Sequence, residues 1–146
     1  MKTTIAAALF FVVSSSAFAM NLAEKKQFAE WQAYLTDASQ SHVETAKKNC
    51  GYDIPVTIED KFTTPFMAAN TSAASYCDSA RSTISDMCQD AMSKAEITKK
   101  IKKITCKLGK AEEATFKLNG TELVFTVGLG ASNLEQKTKK FLESNL

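Results

Sequence analysis

The residues whose type and spacing carry the most chemistry are the four cysteines, Cys50, Cys77, Cys88 and Cys106. They contain no Cys-x-x-Cys pair of the kind a dithiol redox centre uses. A zinc site would want closer pairs and usually histidine, and the chain has a single histidine. An even set in an exported chain reads as two disulfides. Three pairings are conceivable, and one fails on geometry. Cys77 and Cys88 stand eleven residues apart within one predicted helix, which separates their Cα atoms by about 16 Å. A disulfide reaches about 7 Å at most. Eleven residues make almost three turns, so both cysteines leave the same helix face and staple it twice to other elements. Cys50–Cys77 with Cys88–Cys106 is the expected scheme; Cys50–Cys88 with Cys77–Cys106 is the alternative. Each bridge is worth about 2–4 kcal/mol.

Other groups could act as acids, bases or charges. His42 could be a general base, yet it falls on the apolar stripe of a predicted helix and reads as a core or boundary residue. Trp31, on the same stripe, reads as a core anchor. Asp53, Glu59 and Asp60 cluster around one extended stretch, and Asp86 and Asp90 lie at i, i+4 on a helix. Such carboxylates could bind a hard cation or do hydrolytic acid–base work, but they match no calcium loop and read as solvated surface groups. No glycine-rich phosphate loop, Gly-x-Ser-x-Gly elbow or His-Glu-x-x-His is present, so neither cofactor nor metal is expected.

The strongest charged feature is Lys94, Lys99, Lys100, Lys102, Lys103, Lys107 and Lys110, opposed over that interval only by Glu96. These could present a basic face to an anionic lipid or polysaccharide surface. No aromatic residue interleaves with them and no arginine joins them, which argues against nucleic acid. A solvated face offset by the rest of the chain is the plainer reading. From Met20 to Ser93 six basic and ten acidic residues give −4; from Lys94 to Leu146 eleven basic and six acidic give +5.

The elements that position these groups follow from periodicity. Residues 1–19 read as a cleaved signal peptide: Lys2, the apolar run Ile5 to Val13, and Ala17-Phe18-Ala19 before the cut. That run is too short to span a bilayer. The expected location is periplasmic or secreted, with residues 20–146 forming one globular domain. Leu22 to Asn49 reads as one long helix with Phe28, Trp31, Leu35, Ala38, His42 and Ala46 on its stripe, ended by Gly51. Tyr52 to Glu59 alternates as a strand that Pro55 confines to an edge. Asp60 to Thr71 has no period and carries Phe62, Phe66 and Met67, which either cap the core or form a contact surface. Ala73 to Met92 reads as a second helix. Ser93 and Glu96 form a capping box for a helix from Lys94 to about Lys103, and Ser132 and Glu135 form another for the C-terminal helix.

Ile104 to Gly109 reads as a strand, followed by a hairpin over 114–127. Asn119-Gly120 suits its turn, and Leu118 would then face Thr121 and Phe116 face Leu123. The hairpin is expected to organise the chain, with Ala114, Phe116, Leu118, Leu123, Phe125 and Val127 on one face. The fold class is α+β: a small antiparallel sheet of about three strands packed against helices, with a long N-terminal helix and two disulfides. The function expected is non-catalytic binding of a protein partner, of the inhibitor, immunity or envelope-accessory type. Contact would run through Phe62, Phe66 and Met67 and through Lys99, Lys100, Lys102 and Lys103. A small carboxylate-using hydrolase and an anionic-surface binder acting through Lys94 to Lys110 are the alternatives. Oligomeric state is not readable.

Overall fold

The computed structural model describes residues 20–59, 61 and 63–146; the expected signal peptide 1–19, Asp60 and Phe62 lie outside them. The element on which the others pack is a helix with small side chains on several faces. Ala73, Ala74, Cys77, Ala80, Thr83, Ile84 and Ser85 are all buried along α4 (Ala73–Met87). Side chains this short let neighbours approach from several directions. Against α4 pack α1 (Leu22–Thr36), α2 (Ser41–Cys50), α5 (Ala91–Lys100), α6 (Leu134–Asn145) and three strands of one sheet. A short helix, α3 (Thr64–Ala68), fills the stretch that lacks a period in sequence. Among the described residues no helix is long and apolar enough to cross a membrane.

The fold is α+β as expected, with four strands in the order β1 (Val56–Ile58), β2 (Lys103–Gly109), β4 (Glu122–Gly128) and β3 (Ala114–Asn119). The sheet is mixed. β1 and β4 both run parallel to β2, and only the β3–β4 hairpin is antiparallel. Three helices join β1 to β2, the long crossover that parallel pairing demands. β2 does not simply extend the hairpin. Leu123, Phe125 and Val127 are wholly buried, whereas Phe116 and Leu118 are half-buried, so β4 takes the interior position and β3 the edge. The β2–β3 connection must therefore pass over the end of β4. It does so at Gly128, whose N–H donates to Glu113 O at 2.8 Å while Glu112 N donates to Leu129 O at 3.1 Å.

The hairpin register differs from expectation by two residues: Leu118 faces Leu123 and Phe116 faces Phe125. Gly120 has φ +61° and Asn119 is not left-handed, so the loop is Gly120-Thr121, with glycine at the first central position as a type II′ turn requires. A shift of two leaves every side chain on its face. Lys117 consequently faces Val124, and Glu122 pairs with Lys103 at 3.2 Å. Phe116 stacks on Phe125 at 4.8 Å and on Phe141 of α6 at 5.5 Å.

The single long N-terminal helix is in fact two. The Asp37 carboxylate accepts from Ser39 N at 2.8 Å, and Gln40 N donates to Asp37 O at 3.0 Å. These local bonds offer the backbone a turn instead of further helix. The break re-aims α2, so Trp31, Leu35 and Ala46 are buried but His42 and Ala38 are exposed. Gly51 ends α2 at φ +84° as expected. Both expected capping boxes give way to neighbours. Asp90 caps α5, accepting from Ser93 N at 2.8 Å, and Asn133 precedes α6 without a side-chain bond. Hydrogen bonds from the backbone and side chain of Ser93 hold the Asp90 carboxyl below the usual range. β1 is an edge strand, as Pro55 requires. Gln32 covers its open side, donating to Val56 O and accepting from Ile58 N, each at 3.0 Å.

Both disulfides form, but by the alternative scheme: Cys50–Cys88 with Cα atoms 5.1 Å apart, and Cys77–Cys106 with Cα atoms 5.6 Å apart. α2 lies along α4 with the two C-terminal ends together, where Asn49 Nδ2 reaches Ser85 O at 3.2 Å. Cys50 therefore meets Cys88, and Cys77 faces the middle of β2. A digest of the unreduced protein should yield the peptides Cys50–Cys88 and Cys77–Cys106, and no Cys50–Cys77 peptide. Changing Cys77 and Cys106 together to alanine should cost about 2–4 kcal/mol in urea unfolding.

Tyr52 carries a pH-dependent part of the stability. Its hydroxyl donates to Ile101 O at 2.5 Å, and burial pushes its pKa from 10.0 up to about 12. The folded state thus favours the neutral phenol, and this contribution is complete below pH 10. Raising the pH from 10 to about 12 ionises the unfolded chain first, so stability falls across that window. The urea midpoint should drop there, and Tyr52→Phe should flatten the drop.

Candidate functional site

Arg81, the chain's only arginine, is 2% exposed. A buried cation is costly unless paired, and Asp78, one turn earlier on α4, supplies the pair. Arg81 Nε donates to Asp78 Oδ1 at 2.8 Å, and Nη1 donates to Leu35 O at 2.7 Å. That carbonyl lies in the last turn of α1, where helices leave acceptors unsatisfied and favour a cation. The guanidinium thus closes α1 at the point where the chain bends. Nη2 completes the ion pair against Asp78 Oδ1.

Beside this group opens a cleft of about 410 Å³ that Arg81 helps to line. The bend contributes Leu35, Thr36 and Ala38, and α2 contributes Val43, Glu44 and Lys47. The approach to β1 closes the far side with Asp53, Ile54 and Pro55. The walls are largely aliphatic. At the rim Lys47 and Asp53 form an exposed ion pair at 3.8 Å. Counting Asp78 and Glu44, two positive and three negative groups surround the cleft. A mainly apolar cleft with a few convergent polar groups is the general form of a ligand site.

The residues that sequence reasoning singled out are dispersed. Phe66 is wholly buried, edge-on to Trp31 at 6.5 Å and to Tyr76 at 5.4 Å. It caps the core and presents no contact surface; Met67 is half-buried against the same core, and Phe62 lies outside the described residues. Three of the lysines are held in ion pairs. Lys100 pairs with Glu96 at 3.6 Å, Lys103 with Glu122 at 3.2 Å and Lys107 with Glu59 at 3.1 Å. Lys102 sits 5.3 Å from the Tyr52 ring centre, and Lys99 is exposed near the end of α5. The carboxylates are divided as well. Asp53 lines the Arg81 cleft, whereas Glu59 lines a second one of about 340 Å³ with Lys61, Lys107 and Lys110. His42 is exposed on α2, and Asp60 lies outside the described residues. Among the described residues no group of three or more His, Cys, Asp or Glu is placed to hold a metal.

Arg81 is the residue that sequence reasoning missed. A signal existed: one Asp and the only Arg, three apart, inside a run of Ala, Ser, Cys, Thr and Ile. Asp78 alone reads as a carboxylate favourably placed in the early part of a helix. Compared with protein-family models, with curated proteins and with solved structures, the chain matches none.

Proposed function

We propose that this is an exported binding protein that holds a protein partner at the Arg81 cleft and carries out no chemistry on it. The observation that carries the reading is a mainly apolar cleft that opens beside the buried Asp78–Arg81 pair. A stiff frame supports it: α2, which forms one wall, is tied to α4 by Cys50–Cys88, and α4, which holds Arg81, is tied to β2 by Cys77–Cys106. The signal-like segment 1–19 and the paired cysteines favour an oxidising location in the periplasm or outside the cell. The separation of Asp53, Glu59 and His42 speaks against a carboxylate hydrolase. The ion pairs of Lys100, Lys103 and Lys107 weigh against an anion-binding face.

Ala38 is exposed at the cleft, so Ala38→Trp should block it without touching the core. Affinity capture from the exported fraction should recover a partner with the wild type and lose it with Ala38→Trp. A partner retained by Ala38→Trp but lost when Lys99 and Lys103 become Glu would move the site to the lysines.

A further inference from the structure

We infer that a second copy of this chain pairs with the open edge of β3, antiparallel and strand to strand, about a two-fold axis at Phe116. The two edges of the sheet are built differently. β1 is three residues long, Pro55 precedes it, and Gln32 hydrogen-bonds its outer side. β3 is six residues long, Ala-Thr-Phe-Lys-Leu-Asn, with no proline. Among the described residues nothing hydrogen-bonds its outer side. An open strand edge is a template for another strand, which is why most are short, covered or interrupted.

The register on β4 tells which backbone groups are open. Glu113 O accepts from Gly128 N, and the pairing continues with Thr115 beside Thr126 and Lys117 beside Val124. Alternate residues of an antiparallel ladder turn their N–H and C=O to the same neighbour. The odd-numbered residues therefore bond β4, and Ala114, Phe116 and Leu118 point theirs outward. A second copy centred on Phe116 sets Phe116 against Phe116 and, twice, Ala114 against Leu118. All three donors and all three acceptors of each copy are then met. A centre at Thr115 or Lys117 leaves some of them unmet, and a centre at Lys117 also opposes two lysines.

The side chains agree with that register. On the inner face Phe116 meets its twin and the large Leu118 meets the small Ala114, extending the layer in which Phe116 stacks on Phe125 and Phe141. On the outer face Lys117 lies opposite Thr115 and diagonal to Glu113 of the second copy, and Asn119 lies opposite that same carboxylate. Long side chains reach a diagonal neighbour, so each lysine finds an opposite charge. One rotation repeats every contact, as closed two-fold pairing requires. This surface does not depend on the binding reading above. β3 and β1 are opposite edges of the sheet, and the Arg81 cleft lies on the β1 side.

A contact this small is weak, so sedimentation equilibrium of the oxidised protein is carried up to about 1 mM. The weight-average mass should rise toward twice that of the monomer. Amide exchange then locates the contact. With about nine-tenths of the chains paired, the amides of Ala114, Phe116 and Leu118 should exchange about tenfold more slowly than in dilute solution. Those of Thr115 and Lys117, bonded to β4 in either state, should change little. Lys117→Glu alters an exposed side chain, sets like charges across both diagonals, and should weaken pairing about tenfold. Ala114→Pro removes an outward donor without touching the β4 ladder and should weaken pairing as well; Lys117→Glu decides the matter if that variant does not fold. Ala38→Trp should leave pairing unchanged. A protein that stays monomeric throughout, a dimer whose three outward amides stay unprotected, or pairing indifferent to Lys117→Glu would each overturn the inference. Protection of those amides by a foreign chain alone, without self-association, would assign the edge to a foreign strand and overturn it too. Pairing as described, with no partner captured at the cleft, would support this inference and count against the binding reading only.

Discussion

Gly128→Ala is expected to lower stability by about 3–5 kcal/mol, enough to leave much of the protein unfolded. A Cβ at this position would lie 1.5 Å from Lys110 O, 2.5 Å from Lys110 C and 3.1 Å from Glu113 N. All three are backbone atoms, so no side chain can swing aside to make room. Either the β2–β3 connection lifts, breaking the bonds Gly128 N–Glu113 O and Glu112 N–Leu129 O, or β4 gives up its place beside β2. Gly120→Ala provides the contrast. Nothing lies within 4 Å of a Cβ there, and only the φ of +61° resists it, a penalty of about 1–2 kcal/mol. Urea unfolding of both variants measures the difference. A Gly128→Ala protein within about 1 kcal/mol of wild type would mean that the connection does not cross β4 at this point.

Arg81→Met should cost about 3–5 kcal/mol, because it leaves the buried Asp78 without a counter-charge. It also removes the donor to Leu35 O at the end of α1. The companion variant Asp78→Leu/Arg81→Met should recover most of the loss, since a buried ion pair exchanged for apolar groups of similar size is often close to neutral. A double variant more stable than either single one is therefore the expected pattern in denaturant unfolding. Additive losses would show that the two charges do not depend on each other. The comparison also tells the purposes of the pair apart: a folded double variant that no longer binds would mean that Arg81 serves recognition more than stability.

Sequence and structure agree on which side chains of the hairpin face inward and part mostly where packing decides. The inward set Phe116, Leu118, Leu123, Phe125 and Val127 was legible, because alternation survives any even shift in register. The register itself was not, since both Asn119-Gly120 and Gly120-Thr121 can form a two-residue turn and the position of β4 in the sheet selects between them. Pro55 correctly placed β1 at an edge, but nothing in its neighbourhood announced that Gln32 would cover it from α1. Helical spacing excluded Cys77–Cys88 and could go no further, because the choice of partners depends on how α2 lies on α4. The break at Asp37 was hidden by apolar residues that keep helical spacing across it; His42 went to the wrong side for that reason. Arg81 escaped notice because a charged residue gains its meaning from burial, and burial is a property of the assembled core.

The most direct test is site-specific photo-crosslinking in the living source cell. A benzophenone-bearing residue would be placed at Ala38, beside the cleft, and separately at Lys117, an exposed position on β3. The account predicts a discrete foreign partner crosslinked from position 38, and nothing beyond a second copy of the chain from 117. A foreign partner from 117 alone, or no adduct from 38, would contradict it.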